Sequence, residues 1–344
     1  MESSVSYRGG TSAGPHAILD ASNQLEAWDS SQGLAVIHDC GIYTARPVDC
    51  NGEPETVLER IEKLVARTLQ FKPITVNNIP VSSVPVLLGG EHTVTLGALR
   101  AIKKHLIQTS GDVQVEPSVN TANAVNISSV VDNASAPFGI IQIDAHADLR
   151  DSYEGSRLSH ACVMRRAVED LDIPLFQIGV RAISHEEVIF RSEKKIPFID
   201  AREIYLKNLI AKHLHIPSVY PHLSADYPDL PSKILSSTTT SSCYSSSDIF
   251  SDSLLPAGFP EKIYITLDVD GLDPSVIRAT GTPVPGGIGW HDTLTLLECV
   301  IRGREVVGFD VVELAPVKGD HASDFAAAQL VYSVMGMAKR LSRR

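Results

Sequence analysis

Cysteine is scarce in this chain. Its 344 residues hold five, Cys40, Cys50, Cys162, Cys243 and Cys299, and no two of them form a CxxC pair. Odd in number and scattered, they provide neither a disulfide framework nor a zinc knuckle, and they fit reduced thiols in a cytoplasmic protein. No apolar run approaches the roughly 20 residues that cross a bilayer. The opening stretch MESSVSYRGG has neither the apolar core nor the basic flank of an export signal. Lys and Arg number 30 against 41 Asp and Glu, giving a net charge of −11 with no basic cluster to oppose it. That balance argues against nucleic acid and against anionic membranes as partners, whereas a small cationic substrate suits such a field.

What the chain does have is alternation. Short β-branched runs predict strands at Leu34–His38, Val84–Leu88, Phe138–Ile143, Leu175–Val180, Ile196–Ile199, Lys262–Leu267 and Glu305–Val312. Between them, apolar residues at helical spacing predict helices at Thr56–Phe71, Thr93–Leu106, Arg157–Asp170, Glu203–Leu214, Trp290–Ile301 and Ala322–Leu341. This order reads as an α/β fold with a mostly parallel sheet covered on both faces. Two stretches break the rhythm. Residues 108–136 contain no Lys or Arg, and residues 216–258 include Ser236–Ser253, where 12 of 18 residues are Ser or Thr. Both read as polar insertions in a single domain spanning 1–344, because loops this long are uncommon inside a compact core.

Three strand ends carry the chemistry. The Phe138–Ile143 strand runs into Asp144-Ala-His146-Ala-Asp148, whose alternate residues project to one side of an extended backbone. Lys262–Leu267 ends in Asp268-Val-Asp270, and Val84–Leu88 ends in Gly89-Gly90-Glu91-His92. In a parallel sheet these ends share the edge where sites are built. Four carboxylates packed there would repel one another unless cations sat between them, and two divalent ions balance the charge. Oxygen donors with some imidazole and no thiolate favour manganese, leave zinc, cobalt and nickel open, and suit Mg²⁺ or Ca²⁺ less well. Paired metals can share a water and lower its pKa, so the residues read as a two-metal hydrolase.

The motifs Gly89-Gly-Glu-His92, Asp144-Ala-His-Ala-Asp148 with Ser159-His-Ala-Cys162 behind it, and Asp268-Val-Asp-Gly-Leu-Asp273, in that order, resemble those of the ureohydrolases, the arginase and agmatinase family. The resemblance implies a three-layer α/β/α domain on an eight-stranded parallel sheet, and two manganese ions per subunit. It implies hydrolysis of a guanidino group to urea and an amine. His92 and Asp148 would hold one ion, His146 and Asp270 the other, and Asp144 and Asp268 would be shared. His160 matches the family's proton-shuttling histidine, and Glu313 matches the carboxylate that pairs with the guanidinium. The loop between Asp148 and His160 is similar to that of agmatinases, with Asp151 and Glu154 as candidates to attract a distal amine. Agmatine is therefore the expected substrate, giving putrescine and urea. Arginine, another guanidino acid or guanidine itself are the alternatives, as is a catalytically silent regulatory relative. Family members are commonly trimers or hexamers, so a homo-oligomer is expected. The chain departs from the family pattern at Glu91, where Asp is usual, and at Ile42, where an acid is usual. Only four residues precede Val5, which predicts a sheet lacking the family's first strand.

Overall fold

A computed structural model describes residues 1, 7–71, 83–111, 136–214 and 254–341, with the side chains of 110–111 and 209–214 excepted. Six parallel strands form the sheet, in the order β3-β8-β7-β4-β5-β6. They are β3 (Val86–Leu88), β4 (Gly139–Ile143), β5 (Leu175–Ile178), β6 (Phe198–Ile199), β7 (Lys262–Asp268) and β8 (Glu305–Val312). β1 (Trp28–Asp29) and β2 (Leu34–Ala35) pair only with each other, as a short antiparallel hairpin. The helices are α1 (Gly14–Ser22), α2 (Pro54–Leu69), α3 (Thr95–Gly111), α4 (Val163–Glu169), α5 (His185–Glu193), α6 (Ala201–Leu214), α7 (Trp290–Ile301) and α8 (His321–Leu341).

Alternation along the strands divides the core in two. Ile141, Ile143, Phe176, Ile178, Ile263, Ile265, Leu267, Phe309 and Val311 point to one face, where they pack with Ile18 of α1, Leu296 and Leu297 of α7, and Leu330 and Val334 of α8. Ile140, Leu175, Tyr264, Val307 and Val312 point to the other, against Leu58 and Ile61 of α2, Leu99 and Ile102 of α3, and Val163 and Met164 of α4. The result is a three-layer α/β/α architecture, and the central strands are apolar on both faces because both faces are covered.

Three details differ from expectation among the described residues. The described residues give six strands in the main sheet rather than eight, and none of them precedes Val86. The Leu34–His38 segment does not join this sheet. It pairs at two residues and then winds through a single wide turn at Ile37–Gly41. The predicted helix Arg157–Asp170 begins only at Val163, after a turn at His160–Cys162. Helices α1 and α5 lie outside the predicted segments. α5 is stabilised at its start by a reciprocal cap, in which Ser184 Oγ accepts from the Glu187 N–H and Glu187 Oε2 accepts from the Ser184 N–H. Most of the two expected insertions lies outside the described residues.

Close backbone approach locks the strand ends together. A Cβ on Gly271, just past β7, would sit 2.7 Å from the Asp144 nitrogen at the end of β4. That neighbour is backbone and cannot swing aside. Gly271→Ala is expected to lower stability by about 1–3 kcal/mol through overpacking, and urea denaturation of the variant against wild type measures it.

Candidate metal centre

The register of the sheet sets what gathers at its carboxyl edge. Gln142 of β4 lies opposite Gln177 of β5 on one side and Thr266 of β7 on the other, and Thr266 lies opposite Asp310 of β8. A row of buried polar side chains thus crosses four strands. Two residues further along β4 and β7 stand Asp144 and Asp268, on the same face. His92 approaches from the turn after β3, where Gly89 and Gly90 permit a tight exit from the strand.

All six metal-ligand candidates converge there. His92 Nδ1 lies 3.2 Å from Asp144 Oδ2, 3.0 Å from Asp148 Oδ2 and 3.5 Å from Asp268 Oδ2. His146 Nδ1 lies 3.0 Å from Asp270 Oδ2 and 3.6 Å from Asp144 Oδ1. Two groups could each hold an ion, His92 with Asp144 and Asp268, and His146 with Asp144 and Asp270. Asp144 belongs to both. Its remaining hydrogen-bond capacity is used locally, since Oδ1 accepts from the His146 N–H at 2.6 Å and Oδ2 from Gln142 Nε2 at 2.8 Å. Asp148 holds a left-handed backbone, with φ of 55°, a strained conformation of the kind found at functional sites.

The tautomer of His92 follows from its neighbours. The Thr266 hydroxyl has a single proton and donates it to Asp310 Oδ1 at 2.6 Å. It must therefore accept from His92 Nε2–H, 2.7 Å away. The lone pair is left on Nδ1, which is buried, has no hydrogen-bond partner and faces three carboxylates. An orphaned imidazole nitrogen amid carboxylate oxygens is the donor set of a divalent ion. Asp310 is held in turn by Tyr264 Oη at 2.7 Å and Thr95 Oγ1 at 2.8 Å. A carboxylate that orients a ligand through its second nitrogen is a common feature of metal sites.

Electrostatics point the same way. Burial pushes Asp148 up to about 7, with the charge of Asp144 adding to it. Burial also raises Asp268 well above the ordinary carboxylate range, helped by Asp270 and Asp144. Burial would lower the imidazoles, yet the facing carboxylates outweigh it, raising His92 strongly and His146 to about 12. A cluster that must hold protons to be tolerated is one that a cation would stabilise.

Beside this cluster lies a cavity of about 30 Å³, lined by five of the six ligand candidates (all but Asp144) together with Tyr7, Arg8, His160, Thr282 and Glu313. His160 and Glu313 are thus brought to it. Glu313 follows β8 with φ of 65°, and its Oε1 accepts from the His92 N–H at 2.7 Å. Burial pushes its pKa up to about 8, with the nearby Glu91 carboxylate contributing.

The structure does not bring Asp151 or Glu154 to this cavity. Asp151 is half exposed and accepts from Arg166 Nη2 at 2.9 Å, which turns it toward α4. Glu154 and Gly155 both have positive φ, at 50° and 80°, in the tight turn that joins Tyr153 to Ser156. That turn carries Glu154 to a neighbouring cavity. Sequence reasoning also missed Gln142, Gln177, Thr266 and Asp310. Their signal was a polar residue inside each of four otherwise apolar strands.

Arg181 was missed as well. Its guanidinium donates to the carbonyls of Gly179, Asp270, Gly271, Leu272 and Val284, clamping the loop that carries Asp270.

The model of the arginase family matches residues 1–243 and 251–336. The N(1)-aminopropylagmatine ureohydrolase of Synechocystis sp. is 34% identical over 336 residues, covering 97% of this chain and 85% of the relative. The agmatinase of Pyrococcus horikoshii is 26% identical over 344 residues, covering 99% and 90%. Among solved structures, the agmatine ureohydrolase of Thermoplasma volcanium superposes with a TM-score of 0.65 at 24% identity, covering 98% of this chain and 87% of that one.

Thr266→Val removes the hydroxyl that fixes the His92 tautomer at nearly constant volume. It is expected to weaken divalent-metal binding about 10- to 100-fold. Calorimetric titration of the metal-stripped protein checks this, with circular dichroism as the control for folding.

Proposed function

The chain belongs to the arginase family and is a metal-dependent ureohydrolase, and from that premise we propose that it releases urea from agmatine-type guanidino amines with two manganese ions bound. The observation that carries this reading is the pair of ligand groups that share Asp144. His92 and Asp148 would hold one ion, His146 and Asp270 the second, with Asp144 and Asp268 common to both. When bound, the two ions would cancel four buried negative charges and lower the pKa of a water they share.

The protein's own residues account for the rest. Glu313 has one carboxylate oxygen tied to the His92 N–H, and its other oxygen is available to pair with a guanidinium N–H. That pairing would favour the ionised carboxylate, which burial otherwise disfavours. His160 lines the same cavity with its ring set edge-on against Tyr153, the centroids 5.8 Å apart. From there an imidazole can deliver a proton to the departing amine nitrogen.

The relatives named for agmatine and for aminopropylagmatine support an amine rather than an amino acid as the substrate. Of the loop arginines that could meet a carboxylate, Arg150 lies over the Tyr153 ring at 5.2 Å, and Arg157 lies 3.7 Å from Asp151 and from Asp170. Arg8, in the cavity lining, is the one observation that favours a guanidino acid. Cytoplasmic residence and a trimeric or hexameric assembly belong to the same proposal.

With manganese present, urea release is expected from agmatine and not from arginine or guanidinobutyrate, and His146→Ala or Asp268→Ala should abolish it. Urea from arginine alone would overturn the substrate assignment. Undiminished turnover in either variant would overturn the two-metal assignment.

A further inference from the structure

Three of the ligand candidates, Asp144, His146 and Asp148, come from one short segment that leaves β4 at its carboxyl end. Past Ile143 only an isolated bridge between His146 and Ala182 continues the sheet, and buried carbonyls in such a segment need partners of their own. The Ala145 carbonyl accepts the N–H groups of Arg181 and Ala182, and the Asp148 carbonyl accepts those of Met164 and Arg165. Side chains take the two carbonyls between them. Gln142 Nε2 donates to His146 O at 3.3 Å, and Gln177 Nε2 donates to Ala147 O at 2.8 Å.

Both glutamines are fully buried and stand opposite each other on β4 and β5. Their orientations are forced. A backbone carbonyl only accepts, so Gln177 must turn its nitrogen toward Ala147. The same nitrogen donates its second hydrogen to Gln142 Oε1 at 2.7 Å, which leaves Gln142 Nε2 facing the ligand segment. There it donates to Asp144 Oδ2 at 2.8 Å as well as to His146 O. Gln177 Oε1, by contrast, is buried with no hydrogen-bond partner. A pair that served only to satisfy its own amides would not leave an acceptor orphaned. The arrangement is directed toward donation. With Oδ1 held by the His146 N–H at 2.6 Å, each oxygen of the shared carboxylate receives a donor and keeps a lone pair for an ion.

We propose that Gln142 and Gln177 are positioning residues acting as one unit, which holds segment 144–148 in the shape that presents its ligands. Gln142 sets the plane of the Asp144 carboxylate, the group common to both ligand sets. Gln177 fixes Gln142 from the next strand and holds the Ala147 carbonyl between His146 and Asp148. Neither side chain would touch an ion or the substrate. This assignment rests on the two-metal ureohydrolase reading and deepens it, because it places control of the shared ligand in the sheet beneath.

Gln→Met keeps the length of the side chain and removes its donor. Metal-stripped wild type, Gln142→Met, Gln177→Met and the double variant are titrated with manganese by calorimetry, with circular dichroism as the control for folding. Each single variant is expected to raise the overall dissociation constant about tenfold, and the double variant by far less than the roughly hundredfold product. Electron paramagnetic resonance of the fully loaded proteins separates positioning from support of the fold. Wild type should show two coupled ions, and either variant should show weaker coupling with both sites filled. Gln142→Asn and Gln177→Asn, which keep the amide but shorten its reach, carry the same expectations if a methionine variant does not fold. Losses that multiply in the double variant would overturn the single unit. Unchanged affinity in Gln142→Met, or weakened affinity with an unchanged loaded spectrum, would overturn the positioning role while two ions in wild type leave the ureohydrolase reading standing. Wild type that takes up no manganese overturns that reading, and this assignment falls with it.

Discussion

Asp144 sits between two imidazoles, one oxygen toward His92 and the other toward His146, with Asp148, Asp268 and Asp270 close around it. Such a concentration of buried carboxylate is unstable in isolation, and the rest of the edge is arranged around that fact. The Ala145 N–H donates to Asp270, the His146 N–H to Asp144, and the Asp270 N–H to Asp268. Arg181 places its positive charge behind the Asp270 loop and spends its donors on backbone carbonyls there. These contacts orient the carboxylates without neutralising them. Bound cations would supply the neutralising charge that protons otherwise supply at this edge.

Beneath the ligand cluster, the strand register supplies rigidity. Gln177, Gln142, Thr266 and Asp310 stand opposite one another on four adjacent strands, and each contacts the next row or its neighbour by a hydrogen bond. Because a strand alternates faces every residue, the register that aligns this row also aligns Asp144 with Asp268. One geometric choice sets both. The substrate-facing side depends instead on loops. Glu313 is carried by the residue after β8, and His160 by a turn ahead of α4. Chemistry on strand ends and selectivity on loops is the usual division of labour in an α/β protein.

The strands bearing the ligand candidates were legible in the sequence, because β4 and β7 are mostly apolar runs that stop at an aspartate and β3 stops at a glycine pair ahead of His92. β8 matches its prediction end to end, and β7 to within one residue. His92, Asp144, His146 and Asp268 could be grouped from spacing and a shared sheet edge. What was less legible has a common cause. Asp151 and Glu154 lie in a loop whose path is set by two positive-φ residues and by ion pairs to α4, neither of which has a periodic signature, so spacing could not place them relative to the ligand cluster. Leu34–His38 has the composition of a strand but no partner strand beside it, so it turns away. Thr266 and Asp310 were hidden because a single polar residue in a strand looks incidental until the register shows what stands opposite.

The account depends on the cluster binding two ions in two distinguishable sites. Elemental analysis of protein loaded with manganese and then dialysed tests this most directly, comparing wild type with His146→Ala. Two ions per chain in wild type and one in the variant, with the fold retained, is the predicted result. A single ion in wild type, or the same number in both proteins, would contradict it.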